Sequence, residues 1–169
     1  MIFVEMRAGT LRHAKSDLGV RAGGVDDLAA LIDLEERVFA TDRMSRRSLR
    51  HFLVSPTSQV VIAERKRAIA GYALVLYRPN SEIARLYSIA VAPDCLRSGV
   101  GPALLGAAEK AARGRGCTHM RLEVHENNER AIELYRKCGY VLFGRHPRYY
   151  QDQGDAYRFQ KALIRRGGR

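Results

Sequence analysis

The stretch from Ser88 to Leu105 constrains the fold of this 169-residue chain more than any other segment. An apolar, partly β-branched run ends in an Ala-Pro-Asp segment, a turn with Gly99 and Gly101 follows, and an apolar helical pattern begins directly behind the turn. Glycines leave backbone N–H groups uncovered, and the positive end of the following helix points at the same place. This unit predicts either a cradle for an anion such as a pyrophosphate or an ordinary strand-to-helix turn.

Apolar periodicity predicts a regular order of strands and helices from Val20 onward. Strands are predicted at 20–22, 59–64, 68–77, 83–91, 120–124, 140–144 and 156–163, and helices at 25–39, 45–53, 101–113 and 128–137. Hairpins come first and helical crossovers later, so we expect a single three-layer α/β domain with a mixed, mostly antiparallel sheet and helices on both faces. Residues 19–164 should form this domain. Residues 1–18 are expected to be a loosely attached extension or an extra edge strand, and residues 165–169 a basic tail.

Composition narrows the class of protein. The chain is 46% hydrophobic and 28% charged, as globular proteins are, and its apolar runs fall far short of the roughly 20 residues of a membrane span. The three cysteines are widely spaced and lack the spacing of metal ligands, so the sequence favours neither a disulfide framework nor a zinc site. Because a reduced compartment fits such cysteines, we expect a cytoplasmic protein. The formal charge of +11 favours anionic partners such as nucleic acid, an acidic protein or a phosphorylated cofactor, but a basic solvated surface explains it equally well.

A second informative stretch lies between Leu122 and Tyr140. It contains Leu-Glu-Val, Asn-x-x-Ala-Ile-x-Leu-Tyr and Lys-x-Gly-Tyr in this order. Together with Val-Ala-Pro-Asp and the Gly-x-Gly helix start, the stretch resembles the GNAT superfamily of acyl-CoA-dependent N-acetyltransferases. The resemblance covers the chain from Val20 to Leu163.

The likeness is closest to the ribosomal-protein alanine N-acetyltransferases and their relatives that acetylate protein N-termini. It is carried by Leu-Glu-Val before Asn128 and by the segment from Gly144 to Ala156, which contains Tyr149 and Tyr150. In that subgroup a Tyr-Tyr segment borders the acceptor groove. The resemblance implies acetyl-CoA as cosubstrate and a protein or peptide N-terminus as the amine acceptor. It implies no metal, no membrane and no need for nucleic acid. It leaves open whether the protein is a monomer or a homodimer.

The resemblance also assigns residues to the cosubstrate. The strand that ends at Val91 would separate from the strand containing Glu123 and bind the pantetheine arm, and the glycine turn would bind the diphosphate. The implied contacts are Ile89, Val91, Arg97, Ser98, Gly99, Val100, Gly101, Asn128 and Tyr135. One position departs from the superfamily pattern, because Leu96 stands where Gln or Arg is usual and the arginine follows one residue later.

Glu123 is the leading candidate for the general base. It lies between Leu122 and Val124, so it faces a cleft if those two residues face the core. The alternative is an exposed strand glutamate without a role, and Glu82 and Glu126 are weaker rivals.

Tyr135 is the candidate general acid, because the superfamily places a tyrosine near the thiol sulfur. A tyrosine that only packs in the core is the alternative.

Asn128 would cap its helix whether or not it also contacts the cosubstrate. His125 fits a surface histidine better than a base, and Cys95 and Cys138 fit small core fillers.

Three functions remain open at this point. The first is an acetyltransferase for protein N-termini, and the second is an acetyltransferase for a small amine or a lysine side chain. The third is an acyl-CoA-binding module without catalysis, to which the high positive charge gives some support.

Overall fold

The computed structural model describes residues 17–163. Its strands are β1 Leu18–Ala22, β2 Ser58–Arg65, β3 Ala68–Leu76, β4 Ile83–Val91, β5 His119–His125, β6 Val141–His146 and β7 Ala156–Ala162. Its helices are α1 Leu28–Val38, α2 Arg46–Val54, α3 Val100–Gly114 and α4 Glu129–Lys137, with 3₁₀ turns at Val25–Asp27 and Pro93–Cys95. The predicted order of elements is confirmed, and the first turn of the predicted helix 25–39 is the 3₁₀ turn.

The ends of the chain lie largely outside the described residues. The predicted extension 1–18 overlaps them at Asp17 and at Leu18, where β1 begins. The predicted tail 165–169 lies outside them altogether. The domain limits of 19 and 164 therefore stay predictions.

The seven strands form one sheet in the order β1-β2-β3-β4-β5-β7-β6. All neighbouring strands run antiparallel except β4 and β5, so the expected mixed, mostly antiparallel sheet is confirmed. Lys66 and Arg67 connect β2 to β3 with φ of 48° and 65°. Two consecutive positive φ angles are the geometry of the tight hairpin turn that fits the twist of the strands.

Helices cover the two faces of the sheet unequally. α3 and α4 bury an apolar cluster on one face, which includes residues from β2, β3, β4, β5 and β7. α1 and α2 bury a second cluster on the opposite face, with Leu31, Leu49 and Tyr72 among its buried residues. The strand residues of this second cluster come from β2 and β3, with Ala90 at the end of β4. The α1–α2 layer therefore packs over one half of the sheet.

β4 and β5 separate soon after they pair. Their register covers Ile83 to Arg85 on β4, although β4 continues to Val91. On its other side, β4 stays paired with β3, except that Tyr87 is an extra residue between two register positions. A bulge of this kind bends a strand and increases its twist. The edge of β4 that faces β5 is consequently unpaired beyond Arg85, as the resemblance implied.

Candidate active site

An open cleft of about 460 Å³ lies where β4 and β5 separate. It brings together four of the predicted site residues: Ile89, Glu123, Asn128 and Tyr135. The remaining predicted residues, Val91 and 97–101, lie outside the lining of this cleft, at the end of β4 and in the turn that follows it.

Glu123 points where the alternation of β5 predicts. Leu122 and Val124 are buried in the core, whereas Glu123 lies on the opposite face with 16% of its side chain exposed. Its carboxylate is held by two guanidinium groups. Arg85 Nε donates to Oε2 at 3.0 Å, and Arg158 Nε lies 3.7 Å from Oε1. Neither arginine was predicted from the sequence, although each alternates with core residues along its strand.

The two rival carboxylates have other partners. Glu126 accepts from the backbone N–H of Asp155 at 3.1 Å and from Arg145 at 2.9 Å, so it anchors the loop between β6 and β7. Glu82 is exposed and lies beside Thr118. Neither residue lines the cleft around Glu123.

Tyr135 faces the cleft and packs in the core at the same time. Its ring lies 5.9 Å from that of Tyr140 and 6.4 Å from that of Phe159. Burial among these apolar groups raises the pKa of Tyr135 above its ordinary value near 10. The two interpretations of this tyrosine are therefore compatible.

The two glycines of the turn differ in their surroundings. Gly99 has a φ of 85°, and a Cβ there would meet no atom within 4 Å. Its backbone is thus open to an approaching group. Gly101 is different, because a Cβ there would lie 3.1 Å from Leu134 Cδ2. The bare Cα of Gly101 therefore faces α4, which packs closely on the start of α3, and the predicted contact of its backbone N–H with an anion stays a prediction.

Other contacts stabilise the turn and the start of α4. Arg65, at the end of β2, donates to the backbone oxygen of Ser98 at 3.1 Å and brings a cation to the turn that was not predicted from the sequence. Arg97 is exposed, with a φ of 61°. Asn128 caps α4, since its Oδ1 accepts from the backbone N–H of Ala131 at 3.2 Å.

The loop between β6 and β7 closes one side of the cleft with Tyr149 and Tyr150. The Tyr149 hydroxyl accepts from Arg85 Nη2 at 2.7 Å. The ring of Tyr150 lies 4.8 Å from that of His125, and burial raises the pKa of Tyr150 to about 12. His125 Nδ1 accepts from the backbone N–H of Asn127, and His125 Nε2 lies 2.9 Å from Asp152 Oδ2. Both ring nitrogens of His125 are therefore used in contacts with the loops that contain Asn127 and Asp152.

A buried carboxylate on the cleft wall was also missed. Glu35, on α1, is 2% exposed and lines the cleft. Tyr72 donates to Glu35 Oε1 at 2.5 Å, and the backbone N–H of Met44 donates to Oε2 at 2.7 Å. The Tyr72 hydroxyl also lies 3.0 Å from Ser88 Oγ on β4. This network joins α1, the α1–α2 loop and β4.

The cleft opens where β4 and β5 separate, and the open glycine turn follows the end of β4. A model of the acetyltransferase (GNAT) family matches residues 25–140. The chain belongs to the acetyltransferase (GNAT) family. As a member of this family it is an acyl-CoA-dependent N-acetyltransferase.

Individual relatives of this GNAT acetyltransferase agree with that membership. N-alpha-acetyltransferase RimI of Mycobacterium tuberculosis is 31% identical over 80% of this chain and 86% of its own length. Streptothricin acetyltransferase of Streptomyces lavendulae is 36% identical, but the match covers 49% of this chain and 44% of that protein. The crystal structure of the ribosomal-protein-S18-alanine N-acetyltransferase from Escherichia coli superposes with a TM-score of 0.79 and 25% identity, covering 89% of this chain and 96% of the other.

Two further properties of the acetyltransferase concern residues 17–163. None of the helices in this part of the chain is long and apolar enough to cross a membrane. The same residues hold no group of three or more His, Cys, Asp or Glu side chains placed to bind a metal ion. The expectation of a reaction without a metal stays a prediction.

Proposed function

We propose that this enzyme transfers an acetyl group from acetyl-CoA to the α-amine of a protein or peptide N-terminus. The observation that carries the proposal is that Glu123 and Tyr135 line the same open cleft, beside the unpaired edge of β4. A candidate base and a candidate acid thereby border one space that is open to an extended chain. The similarity to N-alpha-acetyltransferase RimI, which covers most of both chains, supports this type of acceptor.

Acetyl-CoA fits the residues present along β4 and at the start of α3. Gly99 leaves its backbone uncovered, and α3 begins directly behind it. Backbone N–H groups of residues 97–101 at such a helix start suit a diphosphate. The unpaired β4 edge offers the backbone of Ile89 and Val91 to the pantetheine amides. The cosubstrate supplies the acetyl group as a reactive thioester.

The chain's own residues move the protons. Glu123 takes a proton from the acceptor amine, directly or through a water molecule, while Arg85 and Arg158 hold its carboxylate in place. The Tyr135 hydroxyl donates a proton to the departing sulfur. The phenol of Tyr135 keeps this proton at neutral pH, because its ordinary pKa lies near 10 and burial raises that pKa further. Tyr149 and Tyr150 border the acceptor.

A small-molecule amine is the second candidate acceptor. The 36% identity to streptothricin acetyltransferase favours it, but this match covers about half of the chain. We favour the N-terminus because the similarity to N-alpha-acetyltransferase RimI covers 80% of this chain and 86% of that protein. We also propose a cytoplasmic location, supported by the free thiols of Cys95, Cys117 and Cys138.

The test is acetylation of a peptide panel with free and with blocked N-termini, with streptothricin as a small amine. Mass spectrometry should find one added acetyl group on free N-termini alone. Thermal stabilisation by acetyl-CoA is measured in parallel, because a ligand that binds the folded state raises its stability. Stabilisation without acetylation of any free N-terminus would reject the acceptor. No stabilisation at saturating acetyl-CoA would reject the cosubstrate site. Unchanged activity after Glu123→Gln and Tyr135→Phe would reject the proposed proton transfer.

A further inference from the structure

Three arginines stand side by side on the half of the sheet that the α1–α2 layer leaves open. Arg85 on β4 is the register partner of Arg121 on β5, and Arg158 on β7 is the partner of Glu123. Their neighbours along the strands belong to the buried core: Ala84, Leu86, Met120, Leu122 and Phe159. Because side chains alternate along a strand, the three arginines point to the opposite face. We call Arg85, Arg121 and Arg158 the arginine face.

The positive charge of the arginine face is not balanced. Glu123 is the one carboxylate that contacts it among the described residues, through Arg85 and Arg158. Arg121 donates to the neutral Gln160 Oε1 at 3.2 Å. Three guanidinium groups against one carboxylate leave an excess of two positive charges. Like charges on directly opposite strand positions destabilise a sheet, so the charge repulsion between Arg85 and Arg121 opposes folding.

The arginine face borders a pocket of about 390 Å³. Arg78 and His51 add further basic side chains to its lining, and Glu123 is its one acidic residue among residues 17–163. The pocket shares Arg85 and Glu123 with the active-site cleft, so the two spaces adjoin at the candidate base. A group bound here would belong to the molecule whose amine reaches Glu123.

The cosubstrate's phosphates do not account for these arginines. Arg85 lies near the start of β4, whereas the glycine turn follows its end at Val91. Six residues of extended strand separate these positions by roughly 20 Å at about 3.3 Å per residue. The arginine face and the turn around Gly99 are consequently separate anion sites.

We propose that the arginine face binds the acidic side chain of an acceptor peptide, within the first few residues after the acetylated amine. A guanidinium group matches the planar geometry of a carboxylate and can donate two parallel hydrogen bonds to it. An extended peptide advances about 3.3 Å per residue, so the second to fourth residues would reach the pocket beside Glu123. The excess positive charge repels a basic residue at the same place. This inference rests on the proposed N-terminal acceptor and specifies its sequence.

The experiment uses three peptides with the same N-terminal alanine and the same distal sequence. Their residues 2–4 are acidic, uncharged polar or basic. The kcat/KM for the acidic peptide should exceed that for the basic peptide by about tenfold or more at low salt, a gap that narrows as salt screens the charges. Arg121→Gln should remove most of this preference by raising KM for the acidic peptide more than KM for the uncharged one.

Two further variants keep the test specific. Arg121→Lys keeps the charge but loses the planar fork, so it should retain part of the preference. Arg136→Gln removes a charge from an exposed position on α4 and should leave the preference unchanged. Two results would overturn the proposed role of the arginine face but not the N-terminal acceptor. One is equal kcat/KM on acidic and basic peptides, and the other is a preference that survives Arg121→Gln in the folded variant. No turnover on any peptide, despite stabilisation by acetyl-CoA, overturns the N-terminal acceptor and this inference with it.

Discussion

Arg85 Nε donates to Glu123 Oε2 across 3.0 Å at the place where β4 and β5 separate. The contact fixes one carboxylate oxygen, and Arg158 lies 3.7 Å from the other. A carboxylate held from two strands cannot rotate freely, so its position relative to the cleft is set by the sheet. Positioning of this kind shortens the search for a reactive geometry.

Glu123→Gln tests the proposed base. Glutamine has nearly the same shape but accepts no proton at neutral pH, so kcat should fall by about 10²–10⁴-fold. Stabilisation by acetyl-CoA should persist, because the glycine turn and the edge of β4 are unchanged. Steady-state kinetics and thermal unfolding measure the two effects. Glu133→Gln, on the exposed face of α4, is the matched control. A kcat near that of the unmodified enzyme would remove Glu123 from the mechanism.

The pH dependence tests Tyr135. Burial raises its pKa above the ordinary value near 10, which means that the neutral phenol is favoured in the folded protein. As pH rises through 10, the folded protein keeps this proton, and kcat should show no decline from Tyr135 ionisation between pH 8 and about pH 10. Tyr135→Phe should lower kcat by about 10²-fold at every pH in this range. A falling alkaline limb that disappears in Tyr135→Phe would contradict the raised pKa.

Local signals made much of this fold predictable. The predicted helix 45–53 begins at a serine, a common N-cap residue, and in the structure the Ser48 N–H donates to Ser45 Oγ at 3.1 Å. Only three residues separate the predicted strands 59–64 and 68–77, which indicates a hairpin, and β2 and β3 do pair antiparallel. The alternation around Glu123 predicted which way its side chain points, because that pattern depends on β5 alone.

Contacts between distant segments were not predictable in the same way. Glu35 looks like one more charged helix residue until the fold places Tyr72, 37 positions later, against its carboxylate. Arg158 meets Glu123 through the β5–β7 register, which no local pattern encodes. Gly101 belonged to a recognisable motif, but its contact with Leu134 depends on how α4 packs.

The buried Glu35 network should set both stability and acceptor binding. Glu35→Ala leaves the Met44 N–H and one bond of the Tyr72 hydroxyl without their acceptor, which should cost about 2–4 kcal/mol of unfolding free energy. Tyr72→Phe removes the donor to the buried Glu35 Oε1 and should cost about 2 kcal/mol. Because Met44 lies at the end of the loop bordering the cleft, KM for the acceptor should rise more than that for acetyl-CoA. Urea unfolding and kinetics measure these effects, with Glu36→Ala, on the exposed face of α1, as control. If the folded Tyr72→Phe variant has an unchanged KM for the acceptor, the Glu35 network contributes to stability but not to acceptor binding.

Replacing a glycine by alanine at two positions tests the packing beside β4: Gly71 lies next to β4, and Gly106, in α3, is the control. A Cβ at Gly71 would lie 2.5 Å from the backbone oxygen of Ala90, so Gly71→Ala forces β3 away from β4. It should destabilise the fold by about 3 kcal/mol or more and weaken acetyl-CoA binding, since Ala90 lies between Ile89 and Val91. A Cβ at Gly106, within α3, meets no atom within 4 Å, and Gly106→Ala should stabilise the fold by about 0.5–1 kcal/mol. Urea unfolding of both variants decides the matter: equal stabilities would mean that β3 and β4 are not in close contact at Gly71.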